Sequence, residues 1–339
     1  MTPQNNFSRR QFLQVVACAG LVGLSYKFGL DQLVPAAPEK VTDTRFLMGT
    51  VLNLQVIGPV EQARKAIDAC FERMTALEAV LSIFKPDSQI SQLNRYGVVG
   101  QVHPFMEDVL KQAMHLGQLT GGAFDISIKP VLDLYKLNPG SLPTTRQIES
   151  ALALVDYRKI ELDQISRTIT FQKPGMSITL DGIAKGFIVD EGVAVLKSLG
   201  FDNVMVEAGG DLLGLGKKDP GSPWKIGLQK PRAEMGDLSV IFDIYNRAIA
   251  TSGDYMQSFT PDFVNHHIIN PHTGHSSPEL ASVTVLAPTV ALADGLATAV
   301  MVMGKSGLDL VESLANCEAY AIEKNLTVIK TSGIGSILE

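Results

Sequence analysis

Two polar side chains interrupt a small, apolar stretch near the C-terminus, "VALADGLATAV" at 290–300. Asp294 and Thr298 stand four residues apart, which on a helix puts both on one face. A carboxylate and a hydroxyl are hard oxygen donors, suited to Mg²⁺, which keeps several waters and takes few protein ligands. The competing reading makes Asp294 a helix cap and lets Thr298 bond back to a carbonyl. A second stretch, "LDGIAKGFIVDEG", flanks Lys185 with Gly182 and Gly186 at a strand-to-helix junction, where exposed amides and a cation can hold a phosphate. The alternative is a tight turn with a solvated lysine. The spacing is neither a Walker A nor a G-x-G-x-x-G.

Four further stretches add modest signals. "EAGGDLLGLG" lets a ligand or another backbone approach closely, with Asp211 as ligand or turn former. "HHIINPHTGH" packs four histidines into ten residues in no zinc-ligand pattern, and a lone general base fits it better than a metal site. "GGAFD" offers Phe124 for stacking, or for the core, and Asp125 as an acceptor. "SGDY" is a turn with a carboxylate, Asp254, and a phenol. Together they suggest a glycine-lined cleft for a phosphorylated, aromatic ligand with Mg²⁺.

The elements that must position these residues are legible from their periodicity. Alternation over 42–58 predicts a strand, and 59–82 has helical spacing with Ala66, Cys70, Met74, Leu77 and Leu81 on one side. Helices are also predicted over the later part of 83–97, over 104–122 and over 144–155. "YRKIELD", "TITFQK" and "SITL" read as strands leading into a helix over 181–200. "NVMVEAGGDLLGLG" reads as a strand ending in a glycine turn, and the region after it continues in strand-and-turn style. "ASVTVLAP" is a strand before the Asp294 helix, followed by another helix and a last strand. No regular βαβ repeat appears. The fold class is therefore α+β: one continuous two-lobed domain over 40–339, with mixed sheets, flanking helices and a ligand cleft between the lobes.

The 339 residues are 45% hydrophobic and 19% charged, with a formal charge of −6. That is globular composition, without the basic patch of a nucleic-acid binder. Residues 1–36 read as a leader: "SRRQFLQ" before a short apolar run matches a twin-arginine export signal, which implies a periplasmic protein. "VVAC" also resembles a lipoprotein box at Cys18, so membrane association through the leader or through a partner stays open. Cys70 and Cys317 read as isolated buried thiols, with a single bridge between them left open.

Eight stretches occur here in the order seen in the ApbE family of FAD:protein FMN transferases: "RFLMGT", "LSIFKPDSQISQLN", "GGAFD", "DGIAKGFIVD", "EAGGDLLGLG", "IATSGDY", "HHIINPHTG" and "SVTVLAP…ADGLATA". The chain resembles that family over about residues 42–335, and the leader resembles its periplasmic, NosX-like branch. The resemblance implies binding of FAD as substrate with Mg²⁺, and transfer of FMN through a phosphoester to a Thr or Ser of an acceptor flavoprotein, with AMP leaving. The acceptor motif would resemble D-x-x-[ST]-[AG]-T. Asp294 and Thr298 match the metal's side-chain ligands, and Gly182 the position that offers it a carbonyl. Met48, Phe84, Ala123, Phe124, Asp125, Lys185 and Ile269 fall at FAD-contacting positions. His267 matches the residue acting near the pyrophosphate or as base, and Asp254 is a second candidate for deprotonating the acceptor. Thr179 stands where many members carry an acidic residue, with Asp181 two positions later, and Ala297 stands where some carry a second Asp. Two rival activities share these residues: an FAD pyrophosphatase giving FMN and AMP, and a non-catalytic flavin-binding maturation factor.

Overall fold

The computed structural model describes residues 38–137, 141–218, 221–232, 235 and 240–338. The twin-arginine stretch, Cys18 and the whole 1–36 leader lie outside the described residues. Among the described residues no helix is long and apolar enough to cross a membrane.

The chain opens with β1 (Glu39–Leu47) and β2 (Thr50–Gly58), then α1 (Val60–Leu81). A smaller body follows: α2 (Gln89–Tyr96), β3 (Val98–Val99), α3 (Pro104–Leu119), α4 (Lys129–Leu137), α5 (Thr145–Leu152), β4 (Ile160–Asp163) and β5 (Thr168–Phe171). Then come α6 (Ala184–Ser198), β6 (Val204–Ala208), β7 (Asp211–Leu215), β8 (Trp224–Gly227), β9 (Ile241–Ile244) and β10 (Arg247–Gly253). The last elements are β11 (Leu280–Ala287), α7 (Val290–Met303), α8 (Ser306–Ser313), β12 (Glu318–Glu323) and β13 (Val328–Lys330).

Eight strands form one sheet in the order β1-β2-β6-β7-β10-β11-β12-β13. The described pairings in it are antiparallel. Alternation sends Val204, Val206, Ala248 and Ala250 into the large core under α1, α6 and α7, and Met205, Leu212 and Ile249 into a second core with Trp224 and Phe242 on the other face. The central strand β11 is buried along its whole length, as expected for a strand covered on both sides. The α+β class and the flanking helices match the sequence reading.

Three local expectations change. Residues 42–58 are a hairpin rather than one strand, because Met48 (φ 54°) and Gly49 (φ 71°) take the left-handed conformations of a two-residue turn. Residues 203–216 are likewise a hairpin turning at Gly209 and Gly210. "SITL" at 177–180 is not a strand. The side-chain amide of Asn94 takes both backbone groups of Ile178 (2.7 and 2.8 Å), and Thr179 N–H donates to the Ile126 carbonyl (2.9 Å). A side chain does there what a neighbouring strand would do. The five residues expected on one side of α1 are all buried. Cys70 and Cys317 are buried free thiols, so no bridge joins them.

Candidate functional site

Helix α7 begins at Val290, well before Asp294. Thr289 caps it through its hydroxyl (3.3 Å to Leu292 N–H), and the Asp190 carboxylate on α6 accepts the N–H groups of Val290 (2.8 Å) and Ala291 (2.9 Å). Asp294 therefore sits in the second turn, and the capping alternative fails. Helix α6 crosses close by: a Cβ built on Gly186 would lie 2.6 Å from the Val290 carbonyl. Gly186 N–H in turn points at Asp294 Oδ2 (3.4 Å). Ala297 and Ala299 are wholly buried, and Gly295 packs on Leu116, so these small residues serve helix packing.

Asp294 (6% exposed) and Thr298 line a cavity open to solvent. Ala123, Phe124, Asp125, Thr179, Asp181, Gly182, Lys185, His267 and Ile269 line it as well. Met48 and Phe84 line an outer groove, which shares Asp181, Lys185 and Gln257 with the inner cavity. The site thus has two compartments meeting at Lys185, with Phe124 in one and Met48 and Phe84 in the other.

The junction is strongly charged. Lys185 Nζ pairs with Asp211 Oδ2 at 2.7 Å, and Asp211 Oδ1 accepts the Thr251 N–H (3.3 Å). Burial opposes the Lys185 charge, but Asp211, Asp294 and Glu207 outweigh it and hold its pKa above the ordinary lysine value. Burial foremost, with Asp211 alongside, pushes the Asp294 carboxyl well above the usual range, and Lys185 only partly offsets this. Ser252 Oγ lies 3.3 Å from Thr298 Oγ1.

This donor set fits a hard divalent cation. Asp294 is a buried carboxylate with one long hydrogen bond, and a Cβ on Gly182 would come within 3.1 Å of Thr298 Oγ1, so only glycine leaves that space open. Among the described residues no three His, Cys, Asp or Glu side chains converge as metal ligands. The donors would thus be one carboxylate, hydroxyls, a carbonyl and water, which suits Mg²⁺ rather than zinc.

The opposite wall comes from the loop after β10. His267 is half-buried, its Nδ1 3.1 Å from the Gln257 carbonyl, to which His267 N–H also donates (3.0 Å). That contact places the ring proton on Nδ1 and leaves Nε2 with a free lone pair. Burial pushes the imidazole down to about 4.

One candidate is placed differently from expectation, and another lines the cavity with its oxygens already engaged. Asp254 does not line the cavity: it is fully buried, and Arg232 donates to both its oxygens (2.8 and 2.6 Å). Asp125 reaches the cavity wall, but its oxygens accept from Ser127 N–H (2.8 Å), Ser127 Oγ (2.6 Å) and Tyr157 N–H (3.1 Å), which ties it to the chain. Thr179 is buried, with its hydroxyl accepting the Asp181 N–H (3.2 Å). Sequence reasoning left Asp211 open between ligand and turn. It missed Ser252 and Gln257, which stand at the end of a strand and in an irregular loop, where no periodicity marks them.

The ApbE family model matches residues 48–321. An FAD:protein FMN transferase of Haemophilus influenzae is 34% identical over 81% of this chain and 84% of its own length. One of Vibrio cholerae is 34% identical over 84% and 86%. Among solved structures, the flavin transferase ApbE of Vibrio cholerae superposes with a TM-score of 0.77 at 28% identity, covering 89% of this chain and 100% of the other. The ApbE protein of Thermotoga maritima gives 0.80 at 28% identity over the same shares. The chain belongs to the ApbE family.

Proposed function

We propose that this protein transfers FMN from FAD, with Mg²⁺, to a Thr or Ser hydroxyl of an acceptor protein through a phosphoester bond, releasing AMP. The chain is an enzyme of the transferase class, as its relatives' names indicate. The observation that carries the reading is one cavity that gathers Lys185, His267, Asp294 and Thr298 and adjoins a second groove at Lys185. Two ring-holding regions joined at a cationic, oxygen-rich junction suit a dinucleotide with its pyrophosphate in the middle.

In this reading Lys185, fixed by Asp211, stabilises the negative charge that builds on the pyrophosphate. Gly182, Asp294 and Thr298 would hold Mg²⁺, which would further neutralise the phosphate charge. His267 is neutral at pH 7 and takes the acceptor's hydroxyl proton at Nε2. The acceptor oxygen then bonds to the FMN-side phosphorus while the bond to the AMP oxygen breaks, and AMP departs with that electron pair.

An acceptor carrying a D-x-x-[ST]-[AG]-T-like motif is part of the proposal, as is export of the folded enzyme to the periplasm by its twin-arginine leader. The test is incubation of the purified protein with FAD, Mg²⁺ and an acceptor domain. Flavin fluorescence on the acceptor band in a denaturing gel, with AMP in equal amount, is the expected result. AMP without a labelled acceptor would make the protein a pyrophosphatase, and intact bound FAD would make it a carrier.

A further inference from the structure

Asp254, set aside as a base, sits at the centre of a buried charge cluster joining three distant segments. Its oxygens receive the Arg232 fork at 2.8 and 2.6 Å, and Lys324 Nζ stands 3.7 Å away at the end of β12. Lys324 Nζ also donates to the Phe263 carbonyl (2.8 Å), and the Arg232 guanidinium lies 4.2 Å over the Phe263 ring. Phe263 holds φ 58°, a costly conformation for a bulky residue that persists only when its surroundings fix it. The limb from 254 to 263 is thus pinned at both ends. Midway along it is Gln257, whose carbonyl receives both the N–H and the ring Nδ1 of His267.

We propose that Arg232, Asp254 and Lys324 form a clamp that positions His267 for catalysis by fixing the limb that carries the Gln257 carbonyl. The three are positioning residues. The limb contains no helix or long strand of its own; besides the clamp it is held by the Asp254 N–H on the Ala281 carbonyl (3.0 Å), a bridge between Ser258 and His266 and the stacking of Phe259 on Tyr135, and of these only the clamp brings buried charge to both of its ends. The clamp sets which tautomer His267 presents and keeps its ring out of water. It rests on His267 acting at the cavity, as proposed above.

The charged and titratable groups that face His267 are His266, Lys136 and Asp254. Arg232→Gln and Lys324→Gln leave all three in place, so a change in His267 would report the clamp rather than a lost neighbour. The test measures steady-state FMN transfer and the His267 imidazole titration by NMR in full-length wild type and both variants. In Arg232→Gln, kcat is expected to fall about tenfold or more while KM for FAD changes less, because Lys185, Asp294, Thr298 and Phe124 on the other elements keep their places. The imidazole midpoint is expected to rise from about 4 toward the ordinary value of about 6.5 as water reaches the loosened ring. Lys324→Gln, whose side chain is 23% exposed and less disruptive, should move both readouts the same way by less, and it carries the test if Arg232→Gln does not fold. An unmoved midpoint in a folded variant overturns the clamp, whether or not kcat falls. The titration needs neither FAD nor an acceptor. If His267→Ala kept full transfer, the base assignment would fail while the midpoint would still decide the clamp.

Discussion

On one wall of the cavity, α6 and α7 come so close that a single methyl group at Gly186 would meet the Val290 backbone at 2.6 Å. The facing wall, the stretch between β10 and β11, has no long helix or strand and is held by side-chain contacts from Arg232, Lys324 and Ser276. The first wall carries oxygens and a cation at positions set by helix geometry, while the second carries an imidazole set by a carbonyl. In the proposed mechanism, charge stabilisation rests on the wall set by helix packing, and proton transfer on the wall set by loop contacts.

Substitutions on the two walls should break catalysis in different ways. Asp294→Ala is expected to lower transfer by about 10³-fold or more, since it removes the carboxylate proposed to hold Mg²⁺. Its melting temperature should hold or rise, because a buried carboxyl with one long hydrogen bond is lost. His267→Ala should cost about 10²-fold in kcat with FAD affinity retained, which fluorescence titration would check. Equal loss of FAD–Mg²⁺ binding in both variants would erase the distinction between the walls.

Gly186→Ala probes the support rather than the chemistry. The added methyl must push α6 from α7, at a cost of about 1–3 kcal/mol visible as a lower denaturant midpoint. A smaller effect should come from Asp190, whose carboxyl burial raises to about 6. Between about pH 4 and 6 the native state holds this proton and the unfolded chain does not, so stability falls as pH rises through that window. The change is on the order of 3 kcal/mol at most and should be missing from Asp190→Asn. A matching pH slope in that variant would move the effect to another group.

Much of the helix-borne wall was legible because it obeys a period. The spacing of Asp294 and Thr298, and the glycines around Lys185, announce themselves in a linear string. The loop wall was half legible: the histidine-rich turn stood out, yet nothing local separates a catalytic carboxylate from Asp254, whose role is decided by Arg232 22 positions away. The same holds for "SITL", where the alternation of a strand is present but the pairing partner is the Asn94 side chain. Hairpin turns were read as strand continuations at Met48, because a non-glycine residue in the left-handed region leaves little trace in composition. Contacts between distant residues decide such cases, and a linear pattern carries only near ones.

The sheet order has a consequence for how the molecule comes together. Strand β2 pairs with β6, so Leu52 faces Ala208 across the whole intervening body, and Asn53 donates to Glu207 over the same gap (2.6 Å). Closing so long a loop is entropically unfavourable and comes before any return in contacts, which makes this pairing slow relative to the local hairpins. The site draws on positions as far apart as 48, 124, 185, 267 and 298, and these are not all brought together until that closure and the later strands are complete. Ligand retention would therefore mark the finished chain: a partly synthesised or partly folded molecule offers pieces of the site but nowhere for a dinucleotide to stay.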